Sequence, residues 1–107
     1  MTTDQALRIL AEIKLYYDVI DYPKYFTPNG DGVNDFWDID YVEYYPDIIV
    51  MVYDRWGRQV FFSEGYSSDK RWDGRYNGTD VPPGTYYYII DLKNGLEPYN
   101  GPVTIVR

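Results

Sequence analysis

Apolar and polar residues alternate along the first part of the chain. Every odd position from Leu7 to Val19 is apolar, and charged residues occupy several of the even positions between them. Because a period of two is typical of a strand with one buried face, we predict a β-strand over residues 12–20. The start of this stretch also fits one face of a helix, so the pattern does not decide between helix and strand for residues 1–11.

The most apolar part of the chain is residues 48–53. This run is nearly continuous in apolar residues and rich in β-branched side chains, which is typical of a buried central strand. Residues 54–58 then form a predicted turn, in which Gly57 supplies the positive φ. Residues 59–62 return as the second strand of a hairpin.

Three more segments predict strands. Residues 36–41 alternate and indicate a short strand, residues 85–92 a strong one, and residues 102–107 the last one. Turn residues dominate between Gly65 and Gly84, so we expect few strand residues there. About seven short strands with no repeated βα units predict an all-β fold, an antiparallel β-sandwich.

Length and composition restrict the chain to one core. A chain of 107 residues forms a single domain that buries about two thirds of its unfolded surface. Its 14 tyrosines suit half-buried strand faces, because the ring is apolar and the hydroxyl stays hydrated. The formal charge of −7 repels phosphates and anionic lipids, which argues against nucleic acids and acidic membranes as partners.

The chain lacks the residues that most catalytic mechanisms use. It has no histidine and no cysteine, so the commonest general base, the thiol nucleophile and the imidazole metal ligands are missing. The serines Ser63, Ser67 and Ser68 show no nucleophile-elbow glycine pattern. We therefore predict that the domain is not an enzyme and has no small-molecule substrate.

Residues 26–35 form the most constrained loop of the chain. They hold two glycines, a proline, two asparagines and two aspartates, so local chemistry must set the backbone path. One interpretation is a rigid turn in which Asn29, Asp31 and Asn34 cap backbone groups while the glycines take left-handed conformations.

A second interpretation of this loop is a calcium site. Counted from Thr27, Asp31 falls at the fifth position and Asp35 at the ninth, which is the spacing of a calcium-binding loop. The first position is Thr rather than Asp, and Asp38 stands at the twelfth position, where such loops have Glu. Calcium is therefore a secondary prediction, on Asp31 and Asp35, and no other cofactor is expected.

Trp37, Trp56 and Trp72 each lie beside a predicted turn. We interpret Trp56 and Trp72 as residues that seal the ends of the sandwich, with indole N–H groups bonded to backbone carbonyls. The alternative is an exposed platform that stacks on sugars, as in a carbohydrate-binding module with structural calcium. The consecutive tyrosines 86–88 must alternate, so either the middle one or its two neighbours face solvent.

Six motifs follow one another along the chain. They are FTPNGDGVND (26–35), VYDRWG (52–57), WDG (72–74), YNG (76–78), PGTYYY (83–88) and GPVTIVR (101–107). Together they resemble one family, the type B sorting domain of the type IX secretion system, or gliding-motility-associated C-terminal domain. An ordered series is more specific than any single motif. The resemblance covers residues 15–107 and leaves residues 1–14 as a leader or the remnant of a preceding region.

The resemblance implies an immunoglobulin-like antiparallel β-sandwich of about seven strands at the C-terminus of secreted proteins of Bacteroidetes-type bacteria. It also implies a non-catalytic sorting signal that carries N-terminal cargo domains from the periplasm through the outer membrane, to the cell surface or the medium. The implied partners are components of the type IX translocon and outer-membrane barrel proteins of the PorP/SprF type.

We expect the translocon to recognise a folded surface on which the 26–35 loop, the 54–58 turn and the last strand lie together. A signal near the chain end suggests that the last strand is either an edge for strand addition or part of the docking face. The candidate contact residues are Pro28, Asn29, Gly30, Asp31, Gly32, Asn34, Asp35, Arg55, Trp56, Gly57, Val103, Ile105 and Arg107. A structural spacer without a specific partner is a third possibility.

Overall fold

The computed structural model describes residues 23–107. The strand predicted at residues 12–20 and the leader predicted at residues 1–14 lie outside this part. The described residues form seven strands: β1 Tyr25–Phe26, β2 Ile49–Tyr53, β3 Gln59–Glu64, β4 Arg75–Tyr76, β5 Thr79–Asp80, β6 Gly84–Asp91 and β7 Tyr99–Ile105. A 3₁₀ helix, Val42–Tyr44, precedes β2. The all-β prediction is confirmed.

Five strands form one sheet in the order β1-β7-β6-β2-β3, and β4 pairs with β5 in a small second sheet. Neighbouring strands are antiparallel except β1 and β7, which run parallel. The predicted antiparallel pattern is therefore wrong at this one pair. β1 and β7 are far apart in the sequence, and without a tight hairpin between them their direction is not restricted. This places β7 inside the sheet, between β1 and β6.

The core lies on one face of the five-stranded sheet. Alternate residues of the central strands are buried there, as their period of two requires: Val50, Val52, Tyr86, Tyr88, Ile90, Val103 and Ile105. Loop residues cover this face, since the ring of Trp37 lies 5.2 Å from Tyr88 and the ring of Trp72 lies 5.7 Å from Tyr86. The second layer of the sandwich is thus made largely of loops, which sets where the loops can meet.

The main strands agree with the sequence prediction within a few residues. β2 and β6 match the predicted segments 48–53 and 85–92, and β3 continues the predicted 59–62 strand to Glu64. β7 begins at Tyr99, before the predicted start at residue 102, and ends at Ile105. Between Gly65 and Gly84 the two short strands β4 and β5 confirm the expected scarcity of strand structure.

The strand predicted at residues 36–41 is wrong. Trp37 and Ile39 are buried, in keeping with the alternation of this segment, but of residues 36–41 only Asp40 forms a bridge. The backbone N–H of Trp37 donates to the carbonyl of Trp72, in another loop, at 2.9 Å. Tyr41 has a φ of 66°, a left-handed conformation that no strand can continue through.

Within residues 23–107, no helix is long and apolar enough to cross a bilayer.

Candidate partner-recognition site

The 26–35 loop is ordered by one carboxylate. The two oxygens of Asp35 accept hydrogen bonds from the backbone N–H groups of Gly30, at 2.9 Å, and Gly32, at 2.7 Å. Both glycines have a positive φ, 79° and 83°, in the region that disfavours any residue with a Cβ. The predicted left-handed glycines are confirmed, and Asp35 holds the loop around them.

Two further side chains cap this loop. Asn29 Oδ1 accepts a hydrogen bond from the N–H of Asp31 at 3.1 Å, and Asp31 Oδ1 accepts one from the N–H of Val33 at 2.8 Å. These are the Asx turns that the sequence predicts. Asn34 has a different role: its φ is 54°, and its carbonyl accepts a hydrogen bond from the N–H of Thr27 at 2.8 Å.

The same hydrogen bonds bear on the calcium prediction. The carboxylates of Asp31 and Asp35 face backbone N–H donors, which would also face a bound cation. Within residues 23–107, there is no group of three or more Asp, Glu, His or Cys side chains that could hold a metal ion. The geometry favours the structural interpretation of the loop, and calcium binding stays a prediction.

Arg107 joins three loops. Its guanidinium donates hydrogen bonds from Nη1 to the carbonyl of Pro28 at 2.9 Å, from Nη2 to that of Gly74 at 2.8 Å, and from Nε to that of Val81 at 3.2 Å. The side chain is only 20% exposed. We call these four residues the Arg107 junction. It links the first motif, the WDG turn and the residues before β6 to the end of the chain.

Gly74 allows the loops of the junction to approach closely. A Cβ at this position would lie 2.9 Å from Pro28 Cγ and 3.1 Å from Arg107 Nη2, and the residue has a φ of 75°. Its carbonyl also accepts a hydrogen bond from the N–H of Val81 at 3.0 Å. Only glycine fits this conformation and this contact without strain.

A buried phenol joins the two loops that cover the sheet. The hydroxyl of Tyr66 donates to the carbonyl of Trp37 at 2.5 Å and accepts a hydrogen bond from the N–H of Trp72 at 2.9 Å. Burial raises the pKa of this phenol well above its ordinary value, so it stays neutral and can donate. Sequence reasoning missed Tyr66, because a tyrosine among 14 others carries no local signal for such a role.

Asp54 fixes the 54–58 turn. Its Oδ1 accepts hydrogen bonds from the N–H groups of Trp56 at 3.0 Å and Arg58 at 2.9 Å, while Oδ2 contacts Arg58 Nε at 3.1 Å. Gly57 supplies the predicted positive φ, 82°. Desolvation opposes the charge of Asp54, yet the amide hydrogen bonds from Arg58 and Trp56 and the charge of Arg58 lower its pKa below the ordinary value.

The tip of this turn presents Trp56 to solvent. Trp56 is 77% exposed, and the guanidinium carbon of Arg55 lies 4.4 Å from the centre of its ring. The prediction that Trp56 seals the sandwich is wrong, because the short turn directs its tip away from the sheet. Trp72 does seal the core, and its indole N–H donates to the carbonyl of Arg75 at 3.1 Å.

The carbohydrate alternative loses its main residues. Trp37 is 0% exposed and Trp72 is 1% exposed, so neither ring can stack on a sugar. Of the three consecutive tyrosines, Tyr87 faces solvent while Tyr86 and Tyr88 are buried.

A groove of about 210 Å³ lies beside the exposed tryptophan. The 54–58 turn forms one side and residues 81–84 the other, with Val60 and Tyr86 also lining it. The hydroxyl of Tyr86 donates to the carbonyl of Pro82 at 2.6 Å and so holds the second side in place. We call this feature the Trp56 groove. It is connected to the Arg107 junction, because Val81 belongs to both.

The last strand contributes to the core rather than to an edge. Val103 and Ile105 are 0% and 1% exposed, and β1 pairs with Thr104 and Ile105 on the side away from β6. The interpretation of the last strand as a free edge is wrong at these residues. Of the candidate contacts on this strand and beyond it, Arg107 alone lies at the surface of the loops, and it holds them together.

The fold and the site define a small immunoglobulin-like β-sandwich whose distinctive surface features are ordered loops and an exposed Trp-Arg pair. The CHU_C type IX secretion signal domain family matches residues 20–105. The chain belongs to this family, as the resemblance implied. No curated protein matches the chain. A type IX secretion signal directs export through the outer membrane, to the cell surface or beyond it.

Proposed function

We propose that this domain is a non-catalytic C-terminal sorting signal. It directs an attached cargo through the type IX translocon, and an outer-membrane barrel protein of the PorP/SprF type recognises its folded surface. Membership of the secretion signal family supports the sorting role. The Arg107 junction carries the proposal that a folded surface, rather than a linear tail, is recognised.

The junction connects distant motifs through the last residue. Arg107 binds carbonyls that lie 26, 33 and 79 residues earlier in the chain. These three contacts form together only when the domain is folded. A partner that recognises the joined loops therefore distinguishes a folded sorting domain from an unfolded one. The short final motif therefore acts by arranging the other motifs.

The structure shows which variant tests the Arg107 junction without removing residues of the core. Deletion of residues 101–107 would remove Val103 and Ile105 from the core and unfold the domain. A single substitution, Arg107→Ala, removes the three loop contacts and leaves the buried part of β7 intact. Lys24→Ala is a suitable control, because Lys24 is an exposed cation outside the junction.

The experiment fuses residues 1–107 to a reporter carrying a secretory signal, in a bacterium with a type IX system. We expect the wild-type and Lys24→Ala fusions to reach the medium or the cell surface and Arg107→Ala to accumulate in the periplasm. Circular dichroism on the purified domains checks that each is folded. Equal export of the reporter with and without the domain would overturn the proposed function. Equal export of Arg107→Ala and wild type would overturn the role of the junction.

A further inference from the structure

We infer that the Trp56 groove binds a short segment of the partner protein that carries an aspartate or glutamate next to an apolar side chain. Arg55 pairs with the carboxylate, and Trp56 and the proline-rich side of the groove contact the apolar group. This inference rests on the proposed function, since the partner is the one that receives the sorting domain.

Trp56 has no role in the core. It is 77% exposed, whereas Trp37 and Trp72 are almost completely buried. Tryptophan and arginine are the residue types that most often dominate the energy of protein interfaces. The Asp54 hydrogen bonds fix the turn before any partner arrives, so little conformational entropy is lost when Trp56 binds.

Among the arginines of residues 23–107, Arg55 is the one without an ion pair, so it is free to accept a new anion. Each of the other arginines within residues 23–107 lies within ion-pair distance of a carboxylate: Arg58 of Asp54, Arg71 of Asp38, and Arg75 and Arg107 of Asp80. Arg55 instead stacks over Trp56. A guanidinium with its planar edge free pairs with a carboxylate through two parallel hydrogen bonds.

The charge around the groove favours an acidic segment. Asp54, Arg55 and Arg58 line it, which gives a local formal charge of +1 in a chain of −7. The ion pair between Arg58 and Asp54 leaves Arg55 as the uncompensated charge. Because the whole domain is acidic, surfaces dense in phosphate repel it. A single carboxylate on a protein loop is therefore favoured over a lipid headgroup as the anion that pairs with Arg55.

The rest of the groove supplies apolar contact. Val60, Val81, Pro82, Pro83 and the ring of Tyr86 line it, and a groove of about 210 Å³ accommodates one or two side chains. The occupant is therefore a short loop segment. Through Val81, whose carbonyl accepts a hydrogen bond from Arg107 Nε, the last residue of the chain positions one side of the groove.

Charge reversal tests the carboxylate partner. Arg55→Glu and Lys24→Glu change the net charge equally, and neither Arg55 nor Lys24 forms an ion pair within the described residues, so Lys24→Glu is the matched control. With the exported reporter fusion, we expect Arg55→Glu to lower export at least about tenfold, Arg55→Lys to lower it less, and Lys24→Glu to leave it unchanged. Equal export of Arg55→Glu and Lys24→Glu would overturn the inference.

Photocrosslinking identifies what occupies the groove. Benzoylphenylalanine replaces Trp56 in one fusion and Tyr44, an aromatic residue of similar exposure at 71% against 77%, in the control. We expect position 56, and not position 44, to crosslink to an acidic loop of the outer-membrane barrel. Replacement of that loop's carboxylate by arginine should restore export of Arg55→Glu. Crosslinks to lipid, or no restoration by the charge swap, would overturn the inference.

The wild-type fusion separates the two proposals. If the wild-type domain exports the reporter while Arg55→Glu and Lys24→Glu behave alike, the inference on the groove fails and the sorting function stands. If the wild-type domain does not export the reporter, the sorting function itself fails.

Discussion

Arg107, the last residue of the chain, donates a hydrogen bond to the carbonyl of Pro28, which lies 79 residues earlier. This contact joins the final motif to the first one. Pro28 also lies against Gly74, where a Cβ would be only 2.9 Å from Pro28 Cγ. Arg107, Pro28 and Gly74 belong to three motifs that are separate in the sequence. The fold brings these motifs together at one end of the sandwich.

We expect Arg107→Ala to lower the free energy of unfolding by about 1–3 kcal/mol, because three carbonyl groups lose a charged donor. Arg107→Lys should lower it less, since the ammonium can reach only part of the set. Urea unfolding at pH 7 measures both effects, with Lys24→Ala as the control on an exposed cation. A stability of Arg107→Ala within about 0.3 kcal/mol of the wild type would show that the junction does not support the fold.

Gly74 and Gly78 provide a matched pair of glycines. Their φ values are 75° and 78°, but a Cβ at Gly74 would meet Pro28 and Arg107 whereas one at Gly78 would meet open space. Gly78→Ala should therefore cost about 1 kcal/mol for the left-handed backbone alone. Gly74→Ala should cost about 1–3 kcal/mol more, because of the added steric overlap. Equal thermal stability of the two variants would contradict the close contact.

The sequence predicted some strands correctly and others not. β2 and β6 were predictable because their apolar alternation and β-branched residues act locally. Residues 36–41 have the same alternation, but within the part of the chain that the structure describes they form only a single bridge, at Asp40, since a period of two reports a buried face and not a hydrogen-bonded partner. The strand prediction was therefore wrong, although Trp37 is buried as the alternation allows.

The site was predictable only where it depends on neighbouring residues. The turns made by Asn29 and Asp31 follow from hydrogen bonds two residues along the chain. The role of Arg107 depends on contacts across up to 79 residues, which no local pattern reports. The exposure of Trp56 was missed because a large aromatic residue next to a glycine turn fits both a sealed core and an open tip.

Asp35 and Asp31 should differ in importance. Asp35 binds two backbone N–H groups through two oxygens, and Asp31 binds one through Oδ1. Asp35→Asn places an amide NH₂ group against an N–H donor and should lower the free energy of unfolding by about 1 kcal/mol. Asp31→Asn keeps an acceptor oxygen and should leave stability unchanged. If Asp31→Asn is stable but loses export, the partner recognises the charge of the loop. A larger loss of stability for Asp31→Asn would contradict the hydrogen-bond assignment.

Calcium offers a separate test of the same loop. In the structural interpretation of the loop, backbone N–H groups occupy the carboxylates of Asp31 and Asp35, and this interpretation predicts no heat of binding and no rise in thermal stability on addition of calcium. Isothermal titration of the 107-residue chain after treatment with a chelator makes this measurement. A rise in thermal stability that disappears in Asp35→Asn would establish the calcium site instead.

Asp54 should make the 54–58 turn sensitive to acid. Its pKa is lowered in the folded state, because the amide hydrogen bonds from Arg58 and Trp56 and the charge of Arg58 outweigh desolvation. A group with a lower pKa in the folded state stabilises the fold fully above its unfolded pKa of about 3.9 and loses this effect as the pH falls through the folded value. The difference in stability between wild type and Asp54→Asn should therefore be constant at neutral pH and shrink below about pH 4. Urea unfolding across this range measures it, and a difference that does not change with pH would show that the carboxylate charge is not what holds the turn that presents Trp56.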